Sequence, residues 1–257
     1  MKFWILLILC IVQGLTEFLP VSSSGHLLFF ENIFKVENNL ILLNLFLHLA
    51  TLFAVIIFYR DIIIKLIKKP FQPLTYKLII STIITVIIAL LYEIFNLDNY
   101  LSNYYGYFFL ITATILLITH LFQKKAVRIK VGEVSYKNSL LAGFVQGIAV
   151  LPGISRSGST ISALVLTGND EKKSAEYSFL LSIPIIIGGF IFEAMKVENW
   201  SQIFFEIKPI LFFVGFAVTF LVSLLSLKLT VKFLKQNKFI YFSIYLFLLG
   251  LFIIIVL

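Results

Sequence analysis

Six long apolar runs, at about 40–59, 77–95, 104–123, 175–195, 209–227 and 239–257, constrain this chain more than any other feature. Each is close to the roughly 20 helical residues needed to cross a hydrocarbon core. A backbone in lipid has to satisfy its own N–H and C=O groups, so runs of this length become helices. Composition leaves no soluble alternative: 60% of the 257 residues are hydrophobic and 13% are charged, more apolar surface than a globular interior of this size can hide. The chain reads as an all-α polytopic membrane protein.

The formal charge of +8 raises the question of nucleic acid, and its distribution answers it. Most of the 21 basic residues fall within 60–77, 124–137, 172–173 and 228–238, at every second junction between apolar runs. The alternate junctions carry Glu31 and Glu37, Glu93 and Asp98, and Glu193, Glu198 and Glu206. The positive-inside rule places 60–77, 124–137, 168–174 and 228–238 in the cytoplasm and both chain ends outside. Anionic lipid is the partner this pattern implies, and no nucleic acid is expected. Cys10 stands alone among apolar neighbours and reads as packing. Lys2 and the run behind it resemble a secretory signal, but no small-x-small cleavage site precedes the polar residues that follow, so the segment is expected to be retained.

Two further apolar segments are interrupted. Residues 3–34 break at Pro20-Val-Ser-Ser-Ser-Gly25, and 138–167 at Pro152-Gly-Ile-Ser-Arg-Ser-Gly158. The arms beyond the breaks rise only about 14 Å as helix, half a hydrocarbon core. Each segment is therefore expected to enter, turn and leave on one side, as a re-entrant helical hairpin. Laid together without a gap, the two match at an offset of 133 residues: Gln13-Gly14 with Gln146-Gly147, Ser22-Ser23-Ser24-Gly25 with Ser155-Arg156-Ser157-Gly158, then Phe46-Leu47 with Phe179-Leu180. The expectation is one membrane domain of two repeats, 1–130 and 131–257. Each is one hairpin plus three spans. Three spans is an odd number, which turns the second half upside down. Such inverted-topology repeats place their sites near mid-membrane, where broken helices meet.

The breaks carry the chemistry. Serines can cap the helices that follow them, or their hydroxyls can join the free N–H groups and the helix dipole in receiving an anion. Ser22, Ser24, Ser155, Ser157 and Thr160, with Gln13, are the candidate phosphate-binding residues. Arg156 favours the anion: an arginine at membrane depth costs about 2.5–3.5 kcal/mol on insertion scales, capping does not require it, and its planar fork matches phosphate oxygens. It could also pair with Glu17, which shares a helical face with Gln13; the two roles are compatible. The aligned positions of Glu17 and His26 are Val150 and Ser159, so the halves are chemically unlike. A symmetric anion cradle would not need that difference, whereas hydrolysis needs a base, a nucleophile or proton shuttle, and a charge clamp. Glu17, Ser23, His26 and Arg156 are the candidate catalytic residues. His48 could line the same cavity. No zinc-type ligand spacing exists, but a hard divalent cation could bridge Glu17 to a diphosphate.

These residues carry a close resemblance to the undecaprenyl-diphosphate phosphatase family of bacteria, also called bacitracin resistance proteins. Its first signature stands as Gln13-Gly-Leu-Thr-Glu17 running into Phe18-Leu-Pro-Val-Ser-Ser-Ser-Gly-His26, and its second as Pro152-Gly-Ile-Ser-Arg-Ser-Gly-Ser-Thr160. Further similarity lies at His48-Leu-Ala-Thr51, where the family more often has Gly in place of Ala50, and at Ala175-Glu-Tyr-Ser-Phe-Leu-Leu181. With Gln13 in its first position, the motif keeps Glu17 as its sole carboxylate. The resemblance implies removal of the terminal phosphate from undecaprenyl diphosphate, a polyprenyl carrier lipid of cell-wall synthesis. It also implies a plasma-membrane location with the site open to the outer face, dependence on a divalent cation (Mg2+ or Ca2+) that Glu17 would hold, and homodimers. It assigns the diphosphate clamp to Arg156 and metal or base work to Glu17, with Ser23, His26 or water as nucleophile. The rival reading is a carrier that moves a lipid phosphate by alternating access, since inverted repeats are also transporter architecture.

Overall fold

The computed structural model describes residues 2–36, 41–125, 132–196 and 209–256. These residues form α-helices joined by short connections, with no strand among them. In chain order the helices are α1 (Phe3–Thr16), α2 (Ser23–Phe34), α3 (Ile41–Phe58), α4 (Arg60–Lys68), α5 (Pro73–Ile94), α6 (Leu97–Leu101), α7 (Tyr105–Lys125), α8 (Tyr136–Ile148), α9 (Arg156–Leu166), α10 (Glu171–Met195), α11 (Pro209–Lys235) and α12 (Phe239–Val256). Five segments are long and apolar enough to cross a membrane, in α5, α7, α10, α11 and α12; α3 carries a further apolar run and bends sharply into α4.

Boundaries differ from the sequence reading where local chemistry intervenes. The junction at 60–77, expected as a cytoplasmic loop, contains α4, bent 79° from the helix before it. No residue of α4 is buried, and Arg60, Lys65 and Lys68 alternate with isoleucines along it, the pattern of a helix lying in an interface. Pro73 then opens α5 at a position where its missing N–H costs nothing. Helix α10 starts at Glu171, ahead of the expected 175, because Asp170 caps it by accepting from the backbone N–H of Lys172 (3.0 Å) and Lys173 (3.1 Å). Of the charged junctions, Glu37, Arg128, Lys130, Glu198 and Glu206 lie outside the described residues.

The packing pairs each half with the other. Helix α5 lies along α8 and α11 along α1, while α7 packs on α12 and α3 on α10. Small residues set the close approaches: a Cβ on Gly14 would stand 2.8 Å from the Thr219 carbonyl, and one on Gly147 would stand 2.6 Å from Ile88. The largest apolar cluster runs beneath the two breaks through Phe18, Phe109, Ile161, Phe179 and Leu246, all essentially fully buried. It is the floor on which the functional groups rest.

Candidate active site

The two breaks meet. Helix α1 ends at Thr16 and the chain turns through Glu17–Ser22 into α2; α8 ends at Ile148 and turns through Pro152–Ser155 into α9. Each new helix is capped by a serine: Ser22 Oγ accepts from Gly25 N–H (3.4 Å) and Ser155 Oγ from Gly158 N–H (3.0 Å). Ser22 Oγ also accepts from Gly153 N–H (3.1 Å), and Ser157 donates to the Leu19 carbonyl (3.1 Å), stapling one turn to the other. The approach is possible because Gly25 has no side chain, since a Cβ there would lie 2.9 Å from the Gly153 backbone. Gly153 itself holds φ +94°, which a residue with a Cβ rarely adopts.

Glu17 is the hub of the junction and is 4% exposed. The Arg156 guanidinium donates to its Oε1. Its Oε2 accepts from Ser23 Oγ (2.6 Å) and Gln13 Nε2 (3.0 Å), and His48 Nε2 lies 3.9 Å away. The two charges stand at the unfavourable ends of their helix dipoles: Glu17 follows the C-terminus of α1, and Arg156 opens α9. Each is therefore held chiefly by the other and by the hydroxyl and amide around them. Arg156 keeps further N–H donors in its fork and remains partly exposed, so it can serve a second anion without leaving Glu17. The N-termini of α2 and α9 bring backbone N–H groups up to the paired guanidinium and carboxylate.

Beside the cluster a cavity of about 230 Å³ is lined by Ser24, Glu31, Asn44 and His48 on its polar wall and by Leu27 and Leu28 on its apolar one, with Pro152 reaching in from the second break. The cavity thus carries both characters that a lipid with a charged head requires.

The expected site residues divide into three groups. Gln13, Glu17, Ser23 and Arg156 come together directly, and Ser24 faces the adjoining cavity. Ser22, Ser155, Ser157 and Thr160 serve the backbone. The first three cap or staple the breaks, and the Thr160 hydroxyl lies fully buried between the Arg156 carbonyl (2.8 Å) and Ser178 Oγ (2.5 Å). Their hydroxyls are committed to local bonds, a use that competes with anion binding for the same lone pairs and protons. His26 turns both ring nitrogens to other partners. Its Nδ1 bonds to the Ser22 carbonyl (2.7 Å), its Nε2 to the Tyr245 hydroxyl (2.7 Å), and its ring is 3% exposed against Phe109. With both nitrogens occupied, the imidazole has none to offer Glu17 or Ser23. His48, by contrast, bonds through Nδ1 to the Asn44 carbonyl (2.7 Å), and its Nε2 faces Glu17.

Sequence reading missed Glu31, Asn44 and Tyr245. Asn44 and His48 are four apart on an otherwise apolar helix, and that spacing was the available signal for a polar stripe. For a divalent cation, the described residues contain no group of three or more His, Cys, Asp or Glu side chains that could hold one. Glu17, the single carboxylate of the cluster, already accepts from a guanidinium, a hydroxyl and an amide. This donor set does not build a protein-held metal site.

Known proteins are similar to this chain over nearly its whole length. The undecaprenyl-diphosphatase of Carboxydothermus hydrogenoformans is 36% identical over 250 residues, spanning 97% of this chain and 95% of that protein. That of Thermosipho africanus is 38% identical over 253 residues, spanning 95% and 96%, and that of Halothermothrix orenii 35% identical over 258 residues, spanning 99% and 98%. The family profile described as bacitracin resistance protein BacA matches residues 6–252. The chain belongs to the bacitracin resistance protein BacA family.

Proposed function

We propose that this chain is a membrane-embedded phosphatase that hydrolyses undecaprenyl diphosphate to undecaprenyl phosphate and phosphate, returning the carrier lipid to cell-wall synthesis and conferring resistance to bacitracin. The relatives named undecaprenyl-diphosphatase, matched over nearly their whole length, support the activity. The observation that carries the chemistry is the Ser23–Glu17–Arg156 chain of contacts, with Ser24 and His48 next to it lining a cavity that also presents Leu27 and Leu28.

In this reading Ser23 Oγ attacks the terminal phosphorus and Glu17 takes its proton through the bond it already accepts. The phosphoanhydride bond breaks, undecaprenyl phosphate leaves, and a phosphoserine remains. Glu17 gives that proton to the departing phosphate and, ionised again, takes one from a water that attacks the phosphoserine; the P–O bond to Ser23 breaks, phosphate leaves and the proton returns to Ser23 Oγ. Arg156 neutralises charge on the phosphoryl oxygens in both steps, the largest demand of phosphoryl transfer. His26 takes no part in proton transfer here. A divalent cation brought in with the diphosphate would neutralise phosphoryl charge beside Arg156 and Glu17. Phosphate release from a prenyl diphosphate by purified protein in detergent micelles, abolished in Glu17→Ala and Arg156→Ala variants that still fold, tests the enzyme against the carrier, because micelles have no second compartment.

We propose the finer architecture with it: two inverted repeats, each a re-entrant hairpin and three spans, in the plasma membrane with the cavity open to the outer face, associating as homodimers. Matching bonds support the repeat, with acceptors 133 residues apart and donors 134 apart. Thr219 donates to the Cys10 carbonyl of α1 (3.2 Å), and Thr85 donates to the Gly143 carbonyl of α8 (2.9 Å). The mass of the purified protein by light scattering tests the dimer.

A further inference from the structure

Tyr245 belongs to none of the motifs, yet it makes the hydrogen bond to His26 that sits directly behind the first break. We infer that Tyr245 is a positioning residue for the hydrolysis, acting through His26 to hold Ser22 in the backbone shape that delivers Ser23 to Glu17. The inference rests on the phosphatase reading above.

Ser22 has φ +67° and ψ 97°, a region that side chains other than glycine enter at a cost. Such a conformation persists only where its surroundings over-determine it. Here the Ser22 carbonyl accepts from His26 N–H (3.2 Å) and from the imidazole Nδ1 (2.7 Å), while Ser22 Oγ is held by Gly153 N–H (3.1 Å). A carbonyl only accepts, so Nδ1 carries the proton, and in the neutral ring Nε2 is left as the acceptor. The Tyr245 hydroxyl donates to that nitrogen at 2.7 Å, and its ring stacks on the imidazole with centroids 5.6 Å apart and planes 16° from parallel. Tyr245 thereby selects the tautomer and the orientation that grip Ser22. The next residue, Ser23, is the one bonded to Glu17.

The second break has a matching device. Thr112, the residue 133 positions before Tyr245, donates to the Gly153 carbonyl (3.0 Å) and accepts from Ser155 N–H (3.1 Å). A hydroxyl from α7 pins the second break, and a hydroxyl from α12 pins the first with an imidazole interposed. This accounts for a histidine beside the site whose nitrogens are both occupied: it transmits position.

The test is steady-state kinetics with a short-chain prenyl diphosphate in detergent, alongside thermal melting. Tyr245→Phe keeps the ring and removes one hydrogen bond; kcat should fall about tenfold, the worth of one such bond, while KM changes less than about twofold. His26→Asn keeps a donor for the Ser22 carbonyl and loses the link to Tyr245. It should behave like Tyr245→Phe and keep the wild-type pH profile, and the double variant should be no worse than His26→Asn alone. A Tyr245→Phe enzyme with wild-type kcat overturns the inference. So does a His26→Asn enzyme that loses a limb of its pH profile, which would make the imidazole itself the proton carrier; this second variant decides the matter if Tyr245→Phe fails to fold. Absence of phosphate release from the wild-type protein would instead remove the phosphatase reading.

Discussion

Replacing Glu17 with glutamine separates the two tasks this side chain is assigned. The substitution keeps shape and removes charge, so Ser23 loses its proton acceptor and Arg156 loses its counterion. General-base work is worth about 10²–10⁴ in rate, or roughly 2.7–5.4 kcal/mol of barrier. The lost ion pair acts on stability. Breaking a buried pair from one side costs about 3–5 kcal/mol, and Arg156, whose side chain is 19% exposed here, should lie at or below the low end of that range because water can reach it. Glu17→Gln should therefore melt several degrees lower and release phosphate at least about a hundredfold more slowly. Pairing it with Arg156→Met removes the orphaned charge; the double variant should regain most of the lost melting temperature and none of the activity. Phosphate release measured under saturating substrate, with melting followed in the same detergent, reads both effects. A Glu17→Gln protein that melts lower yet turns over within about threefold of wild type would refute the reasoning, because the carboxylate would then be a structural partner of Arg156 alone.

Ser23→Ala should abolish the trapping of labelled phosphate on denatured enzyme and cut turnover by at least about a hundredfold; turnover preserved without the hydroxyl would hand the attack to water. Gly153→Ala combines a strained φ of +94° with a Cβ driven into the Tyr105 backbone, so its melting temperature should drop by more than that of Glu17→Gln, as read in detergent melts. A chelator should suppress activity in a way that added Mg2+ or Ca2+ restores, while leaving the melting temperature of the unliganded protein unmoved, since the cation is assigned to the substrate and not to a protein site. In intact cells, Lys35→Cys should react with an impermeant thiol reagent from outside and Gln236→Cys should not; equal labelling would overturn the proposed orientation.

Glu17 and Arg156 were legible as partners because each is costly in lipid and neither has an opposite charge nearby in sequence. The break positions were legible because Pro, Gly and Ser clusters interrupt helices whatever surrounds them. The serines were less so. Ser22 and Ser155 carry the same side chain as Ser23 and Ser24, but two face the backbone as caps, one faces Glu17 and one the cavity. A hydroxyl has no preference among these until the turns are built. Helix α4 falls in a segment expected as a cytoplasmic loop because basic residues cluster over 60–77, and only the bend after Phe58 sets its lysines and isoleucines on a helix of its own.

The chain by itself determined that it spans a membrane, roughly where its helices run, and that two polar breaks 133 residues apart repeat each other. Those properties follow from transfer free energy and backbone hydrogen bonding, which are local and additive along a helix. Tertiary structure alone decided which histidine meets the carboxylate. His26 is nine residues from Glu17 and is claimed by Tyr245, which lies 219 residues away, while His48 on a separate helix turns its Nε2 toward the site. Hydrogen bonds are short and directional, so their partners depend on how helices pack, and packing is a property of the assembled bundle.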